Sequence, residues 1–268
     1  MWWETDKTLG IHLGYHDKGF RSLTNAVLNM NDVAWQLLNL KNETPGQILD
    51  AGCGVGGTSI YLAQKYQQMF FTGITIVPTH VLMAERLAKK HNVTSNTRFL
   101  EQNYCHTSFP DQTFDGIIAL ESVIYAHKHE DLIMELYRVL KPGGRIVILD
   151  GFLTDKPISP SLKKIYQIWL NGRALIDVEP INKFVTCMKQ KGFCNITIKD
   201  ISSHIFSSYI LGILVDSALF IPTLTKAIIN FRDHDPAEEF NGFLAVSLAT
   251  ALLVLNGHFK YYSLTATK

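Results

Sequence analysis

A glycine-rich turn preceded by an acidic residue is the part of this sequence best suited to hold a ligand. In the run ILDAGCGVGG, Asp50 ends an apolar stretch, and Gly52, Gly54 and Gly56 follow at alternate positions. Glycine tolerates positive φ and lets the backbone approach a ligand closely. A helix-like stretch opens at Thr58, and the free N–H groups of its first turn would point at that ligand. The spacing predicts a strand, a ligand-binding turn and a helix start; the alternative is a tight turn that binds nothing.

Groups able to hold or move a proton follow the fourth predicted strand. The segment ALESVIYAH carries Glu121, Tyr125 and His127. Ligands bind at the carboxyl ends of the strands in open α/β sheets, so these side chains are candidates for a catalytic centre. Tyr125 alone is a poor base near neutral pH because its reference pKa is about 10. His127 suits that role if its loop curls inward; the alternative is a solvated loop histidine.

Strands and helices alternate over the first 150 or so residues, and this alternation predicts a parallel sheet with helices on both faces. After the strand that ends at Asp50, four further strands are predicted at 69–77, 97–103, 114–122 and 145–152. Apolar residues at helical spacing predict helices at 22–40, 79–93 and 130–140. Residues 141–144, Lys-Pro-Gly-Gly, are expected to stop the last of these helices.

The C-terminal part is richer in helix. Residues 161–191 look helical up to Gly192, 193–201 read as a sixth strand and 258–267 as a seventh. Between these two strands, 205–231 and 236–256 are strongly apolar and helix-like. We expect them to be buried around a hydrophobic pocket; peripheral membrane contact and a dimer interface are the alternatives. Some polar residues of the insertion are expected to point into the pocket and most to lie at the surface: Arg173, Glu179, Arg232, His234 and Asp235.

Composition narrows the function classes. The 268 residues carry 25 basic and 24 acidic side chains, and no Lys/Arg cluster is longer than a pair, so charge does not indicate a nucleic-acid substrate. Six residues separate Cys187 from Cys194, which is not a common zinc spacing, and we predict no metal. Scattered cysteines fit a reducing cytoplasm. Residues 1–8 lack an apolar signal core, which predicts that the chain is not secreted.

Several motifs, in the right order, resemble the class I S-adenosylmethionine (SAM) methyltransferases. The turn has their G-x-G-x-G form, and LYRVLKPGGRIVILD, residues 136–150, matches a common stretch of that family. The segment from Gly73 to His80 resembles G-[IL]-T-L-S-x-x-Q, found in the branch of tocopherol, sterol, glycine-betaine and cyclopropane-fatty-acid methyltransferases, with His80 in place of the Gln. The segment IHLGYHDKG, residues 11–19, resembles H-x-G-Y-[WH]-D of the same branch.

The resemblance implies a set of cofactor-binding residues for SAM. In that branch the Thr, the next backbone group and the Gln hold the ribose, which implies Thr75, Ile76 and His80 here. Asn103 stands where an acid accepts from the adenine amino group, and its amide can replace that acid. The alternatives are a plain strand residue for Thr75 and a helix-surface residue for His80. The full predicted set is Asp50, Gly52, Cys53, Gly54, Gly56, Thr75, Ile76, His80, Asn103, Tyr104 and Leu120.

The resemblance also implies which residues surround the transferred methyl group. In that branch the N-terminal segment covers SAM, and its Tyr lies near the methyl, which implies this role for Tyr15. A tyrosine ring can also attract a sulfonium by cation–π interaction. The predicted catalytic set is Tyr15, Glu121, Tyr125 and His127. The alternative for Tyr15 is packing of an ordered N-terminal arm.

The predicted fold class is α/β, a Rossmann-like, seven-stranded, mostly parallel sheet with a helical, apolar cap insertion before the last strand. The resemblance implies a reversed seventh strand. Four regions are expected: residues 1–44 as a helical arm and cofactor cover, 45–152 as the SAM-binding core, 153–257 as an acceptor-binding helical region that includes the sixth strand, and 258–268 as the final core strand.

The function implied is transfer of a methyl group from SAM to a small, largely hydrophobic acceptor of isoprenoid, polyketide or lipid-like character, in cytoplasmic secondary metabolism. Two alternatives stay open. The fold could hold SAM for another reaction, such as a cyclisation, or the chain could be a non-catalytic binding subunit. A homo-oligomer is compatible with the sequence, which does not reveal the acceptor atom.

Overall fold

The structure is a computed structural model that describes residues 9–10, 12–17, 22–40, 44–212, 214 and 236–268; between 236 and 245 it describes the backbone only. Seven strands form one sheet: β1 Gly46–Ala51, β2 Met69–Thr75, β3 Thr97–Glu101, β4 Phe114–Leu120, β5 Leu140–Leu153, β6 Cys194–Asp200 and β7 Phe259–Thr267. The described helices are α1 Leu23–Leu38, α2 Gly57–Lys65, α3 Pro78–Lys90, α4 His129–Val139, α5 Pro160–Gly172, α6 Ile181–Lys191, α7 at residues 202–212 and α8 Pro236–Leu255.

The strand order is β3-β2-β1-β4-β5-β7-β6, and the predicted fold class is confirmed. Strands β1 to β5 pair in parallel, whereas β7 runs antiparallel to both β5 and β6. The chain leaves β1 towards β2 on one side and later returns through β4 on the other. The carboxyl ends of β1 and β4 therefore flank the point where the strand order reverses, which is the usual ligand crevice of such sheets.

Both faces of the sheet are covered. On one face α1, α2 and α3 bury residues such as Met30, Ile60 and Ala84 against the sheet, and on the other α4 and α6 bury Leu136 and Phe184. A third apolar cluster joins α5 and α8 to the start of β7 and contains Trp169, Val246 and Phe259. This cluster forms the cap predicted from the apolar C-terminal stretches. None of the described helices combines the length and hydropathy that crossing a bilayer requires.

Several predicted boundaries were wrong because single residues end the elements. Strand β2 ends at Thr75 rather than at residue 77, since Pro78 begins α3. Strand β3 ends at Glu101 rather than at residue 103. Strand β4 ends at Leu120, because the next residue, Glu121, takes a left-handed conformation with φ 46°. Strand β5 begins at Leu140, directly after α4 ends at Val139, so residues 141–144 belong to the strand.

The predicted single helix at 161–191 is two helices. Helix α5 ends at Gly172, and Ala174 has φ 54°, a left-handed conformation that breaks the helical hydrogen-bond pattern. Helix α6 ends at Gly192 as predicted, with φ 106° at that glycine. The helix predicted at 205–231 begins at residue 202, and most of the rest of it lies outside the described residues.

Candidate active site

A cavity of about 350 Å³ opens at the carboxyl ends of β1, β4 and β5. One end is formed by the glycine turn after β1 and by the N-terminal segment, and the other by the cap helices. The described lining residues are Leu9, Gly10, His12, Leu13, Leu23, Val27, Asp50, Gly52, Cys53, Thr58, Leu120, Glu121, Ile124, Tyr125, Asp150, Gly151, Trp169, Arg173, Ser208, Tyr209, Gly212, Ser247, Thr250, Phe259 and Tyr261. This size is typical of a small-molecule site.

The glycine turn is tied to the second strand and kept free of side chains. The backbone N–H groups of Gly52 and Cys53 both donate to the carbonyl oxygen of Ile74, at 3.0 and 2.9 Å. Gly52 has φ 90°, and a Cβ at this position would lie 2.4 Å from Cβ of Ser122. Gly56, with φ 83°, caps the N-terminus of α2. The turn can therefore be built only with glycine at these positions.

Asp50 is a buried carboxyl that faces the cavity. Its Oδ2 accepts a hydrogen bond from Oγ of Ser59 at 2.7 Å. Burial raises its pKa to about 6, although the Ser59 bonds favour the charged form. Burial, and next the charge of Asp50, raises the pKa of the Cys53 thiol well above its usual range. Cys53 is thus an inert filler of the turn rather than a nucleophile.

Glu121 connects three separate parts of the chain at the centre of the cavity. Its Oε1 accepts hydrogen bonds from the backbone N–H of Leu13 at 2.7 Å and from the hydroxyl of Tyr261 at 3.0 Å. Burial raises its pKa, and the nearby charges of His12 and Arg173 act in the opposite direction. The left-handed backbone of Glu121 aims its carboxylate at these donors, which is typical of strain kept at a functional position.

The N-terminal arm, residues 12–17, is held against α7. The hydroxyl of Ser208 accepts from the N–H of Gly14 at 3.1 Å, donates to the Gly14 carbonyl at 3.2 Å and contacts Nε2 of His16 at 2.9 Å. The rings of Tyr15 and His204 stack with centroids 4.3 Å apart. The arm contributes His12 and Leu13 to the cavity wall and is joined to α7 through Ser208.

We expect Ser208→Ala to loosen the arm, because Ser208 is buried and its loss leaves Gly14 and His16 without their partner. The expected cost in free energy of unfolding is about 1–3 kcal/mol, and amide hydrogen exchange should accelerate at residues 12–17. The matched control is Ser161→Ala, since Ser161 is exposed and its hydroxyl shares a hydrogen bond with the hydroxyl of Ser159. Equal exchange rates in the two variants would contradict this account of the arm.

The structure brings six of the predicted site residues into the cavity wall: Asp50, Gly52, Cys53, Leu120, Glu121 and Tyr125. Tyr15 lies beside them in the arm, but its ring packs on His204 and is not part of the described wall. His127 lies in a neighbouring polar cavity with His129 and Glu179, so its position does not support the predicted role as a base.

The remaining predicted cofactor residues are not part of the described wall of the cavity. Gly54 completes the turn with φ 53°. Thr75 is buried and its Oγ1 accepts from the N–H of Val77, whereas Ile76 is exposed and His80 half-buried in α3. Asn103 uses Oδ1 to accept from the N–H of Cys105 at 2.9 Å. The hydroxyl of Tyr104 donates to the Ser122 carbonyl at 3.0 Å.

Most of the lining residues were not predicted as site residues. Asp150 lies in the cavity wall, although residues 136–150 were interpreted as scaffold. Arg173, a polar residue of the insertion that was considered as a pocket residue, also lies in the wall. Glu179 instead pairs with Lys183 at 2.7 Å, and Arg232, His234 and Asp235 lie outside the described residues. Three aromatic residues are also unpredicted members of the wall, namely Trp169, Tyr209 and Tyr261. An acid at the end of a strand, as at Asp150, is the sequence signal that could have found one of them.

The fold and the cavity define a Rossmann-like domain with a small-molecule-sized cavity at its strand ends, and comparisons with known proteins show which family this domain matches. The family model described as "Methyltransferase domain" matches residues 48–144. Residues 48–144 therefore match a methyltransferase domain, and the resemblance to class I SAM-dependent methyltransferases predicted from the motifs is confirmed.

Related proteins agree with this family. The chain is 30% identical over 149 residues to the sterol 24-C-methyltransferase erg-4 of Neurospora crassa, covering 55% of this chain and 39% of that protein. It is 30% identical over 162 residues to the norajmaline N-methyltransferase of Rauvolfia serpentina, covering 58% and 54%. The chain spans about half the length of these curated relatives. The crystal structure of the [4+2]-cyclase SpnF superimposes with a TM-score of 0.77 at 22% identity, covering 97% of this chain and 88% of that one, which shows a shared fold.

Proposed function

We propose that the chain transfers a methyl group from SAM to a small, largely hydrophobic acceptor of isoprenoid, polyketide or lipid-like character. One observation carries the proposal: a single cavity runs from the glycine turn of the methyltransferase domain to the aromatic wall of the cap, with Gly52 at one end and Trp169 and Phe259 at the other. The similarity to a sterol methyltransferase supports an apolar acceptor.

The residues of the turn fit SAM. The cofactor carries an ammonium group, and Asp50 presents to the cavity a buried carboxyl that accepts a hydrogen bond from the neutral hydroxyl of Ser59. The turn at Gly52 leaves no side chain between backbone and ligand, and α2 directs its first N–H groups to the same place. Thr75, Ile76, His80, Asn103 and Tyr104 stay the proposed contacts for ribose and adenine.

The chain's own contribution to methyl transfer is to position the acceptor and to exclude water. SAM supplies an electrophilic methyl group on a sulfonium. Glu121 and Tyr261 hold the centre of the cavity rigid, and the arm closes it from above. Trp169, Phe259 and the cap helices bury the apolar body of the acceptor, so that its nucleophile is held in line with the methyl group.

We assign a proposed role to each of the predicted regions. Residues 45–152 and 258–268 hold the cofactor, 1–44 cover it, and 153–257 receive the acceptor. Within the catalytic set, Glu121 and Tyr125 line the cavity and Tyr15 supports it from the arm. We propose a cytoplasmic location, which is supported by four cysteines without disulfides.

The proposal is tested by calorimetric titration with SAM and S-adenosylhomocysteine, followed by assay of S-adenosylhomocysteine release with a panel of lipophilic acceptors. We expect equimolar binding of both nucleosides and methylated product from at least one acceptor. Binding of SAM with conversion of an acceptor but no release of S-adenosylhomocysteine would favour a cyclase-type reaction. Absence of any SAM binding would refute the proposed function.

A further inference from the structure

Asp150 is a buried carboxyl in the cavity wall that the motifs of the cofactor site do not use. It lies near the end of β5, is 2% exposed and lines the cavity. Its Oδ2 accepts from the N–H of Ile124 at 3.1 Å and its Oδ1 from the N–H of Gly151 at 2.7 Å. Backbone donors of this kind stabilise the ionised form of a carboxyl group.

Among the described residues, no cation lies within salt-bridge distance of Asp150. In the described part of the chain its hydrogen bonds come from backbone N–H groups, and no salt bridge reaches it. His12 and Arg173, two basic groups of the described cavity wall, act on Glu121, and Arg173 also acts on Tyr125 and Tyr209. Burial, and next the charge of Glu121, raises the pKa of Asp150 to about 7. A buried carboxylate is costly unless it is paired, so a positive ligand group would fill this gap.

Aromatic rings surround the same end of the cavity. Tyr125, Tyr209 and Tyr261 line the same cavity as Asp150, and the charge of Asp150 helps to raise the pKa of each of these tyrosines. Trp169 complements them in the wall. Aromatic faces attract cations, whereas two carboxylates repel an anionic acceptor. The combination of a carboxylate with several aromatic rings suits an ammonium group.

We propose that Asp150 binds the ammonium group of an amine acceptor whose apolar body lies against Trp169 and Phe259. This inference rests on the proposed function and names the acceptor class of the same site. Nitrogen attacks only with a free lone pair, so the N–H proton passes to an Asp150 oxygen first. The nitrogen then forms a bond to the methyl carbon while the C–S bond breaks and its electron pair stays on sulfur. The products are the methylated amine and S-adenosylhomocysteine.

The experiment uses three probes with the same tail: decylamine, decanol and decanoate, titrated into the protein loaded with S-adenosylhomocysteine. At slightly alkaline pH the amine is cationic and the acid anionic. We expect decylamine to bind about 10- to 100-fold more tightly than either other probe, the range of a charge-assisted hydrogen bond. Asp150→Asn should remove that advantage and leave decanol binding unchanged. The matched control is Asp200→Asn, an exposed carboxylate paired with Lys260.

Each other outcome has a distinct meaning. If the unmodified protein binds decanoate as tightly as decylamine, the inference is wrong. This comparison does not need the Asp150→Asn variant, so the test holds even if that variant does not fold. Unchanged decylamine affinity in a folded Asp150→Asn variant also overturns it. If that variant loses affinity for SAM but keeps S-adenosylhomocysteine and decylamine, Asp150 pairs with the sulfonium and the inference is wrong. Failure to bind either nucleoside refutes the proposed function instead.

Discussion

Gly52→Ala should reduce the affinity for SAM by at least about 100-fold, equivalent to roughly 2.7 kcal/mol of binding free energy. A methyl group at this position collides with Cβ of Ser122 at 2.4 Å and also meets a backbone with φ 90°. The turn must therefore shift, and the N–H groups that donate hydrogen bonds to the Ile74 carbonyl must shift with it. Calorimetric titration with SAM measures the loss directly.

The control separates this effect from general backbone strain. Gly143 has φ 74°, but a Cβ there meets nothing within 4 Å. Gly143→Ala should therefore lower the melting temperature through strain while SAM affinity stays unchanged. A folded Gly52→Ala variant with the affinity of the unmodified protein would show that the turn is not the cofactor site.

Glu121→Ala should lower turnover by at least about 100-fold, comparable to the loss of a catalytic acid or base. The change removes the acceptor for the N–H of Leu13 and for the hydroxyl of Tyr261, so the arm loses its attachment to the sheet at the centre of the cavity. SAM affinity should fall as well, because the arm covers the proposed cofactor site. Steady-state kinetics with an acceptor found in the panel, together with titration of SAM, measures both losses.

Glu121→Gln distinguishes the two contributions of this side chain. A glutamine oxygen still accepts from Leu13 and Tyr261, but the negative charge is lost. If the charge stabilises the sulfonium, this variant should bind S-adenosylhomocysteine normally and SAM more weakly. Turnover near that of the unmodified protein in both Glu121 variants would remove Glu121 from the catalytic centre.

Local sequence patterns predicted the sheet and the end of the cavity that the glycine turn forms. Alternation of apolar strands and amphipathic helices gave the element order, because each side chain's face follows from its position in a helix or strand. The glycines at 52, 54 and 56 predicted the turn, because a turn of this kind needs positive φ angles and glycine adopts them readily. Asp50, Leu120 and Glu121 followed because strand ends meet at one edge of a parallel sheet.

Which residues meet at the centre of the cavity and at its cap side depended on tertiary structure. Glu121 meets Leu13 and Tyr261 across 108 and 140 positions of sequence, and no local period reports such contacts. Asp150 belongs to a stretch interpreted as scaffold, and Arg173 lies in the wall at the C-terminal end of α5, next to the left-handed Ala174. The same limit applies to His127, whose loop turns its ring into a different cavity. Side-chain direction in a loop is set by the elements packed around it, and long-range packing alone decides that direction.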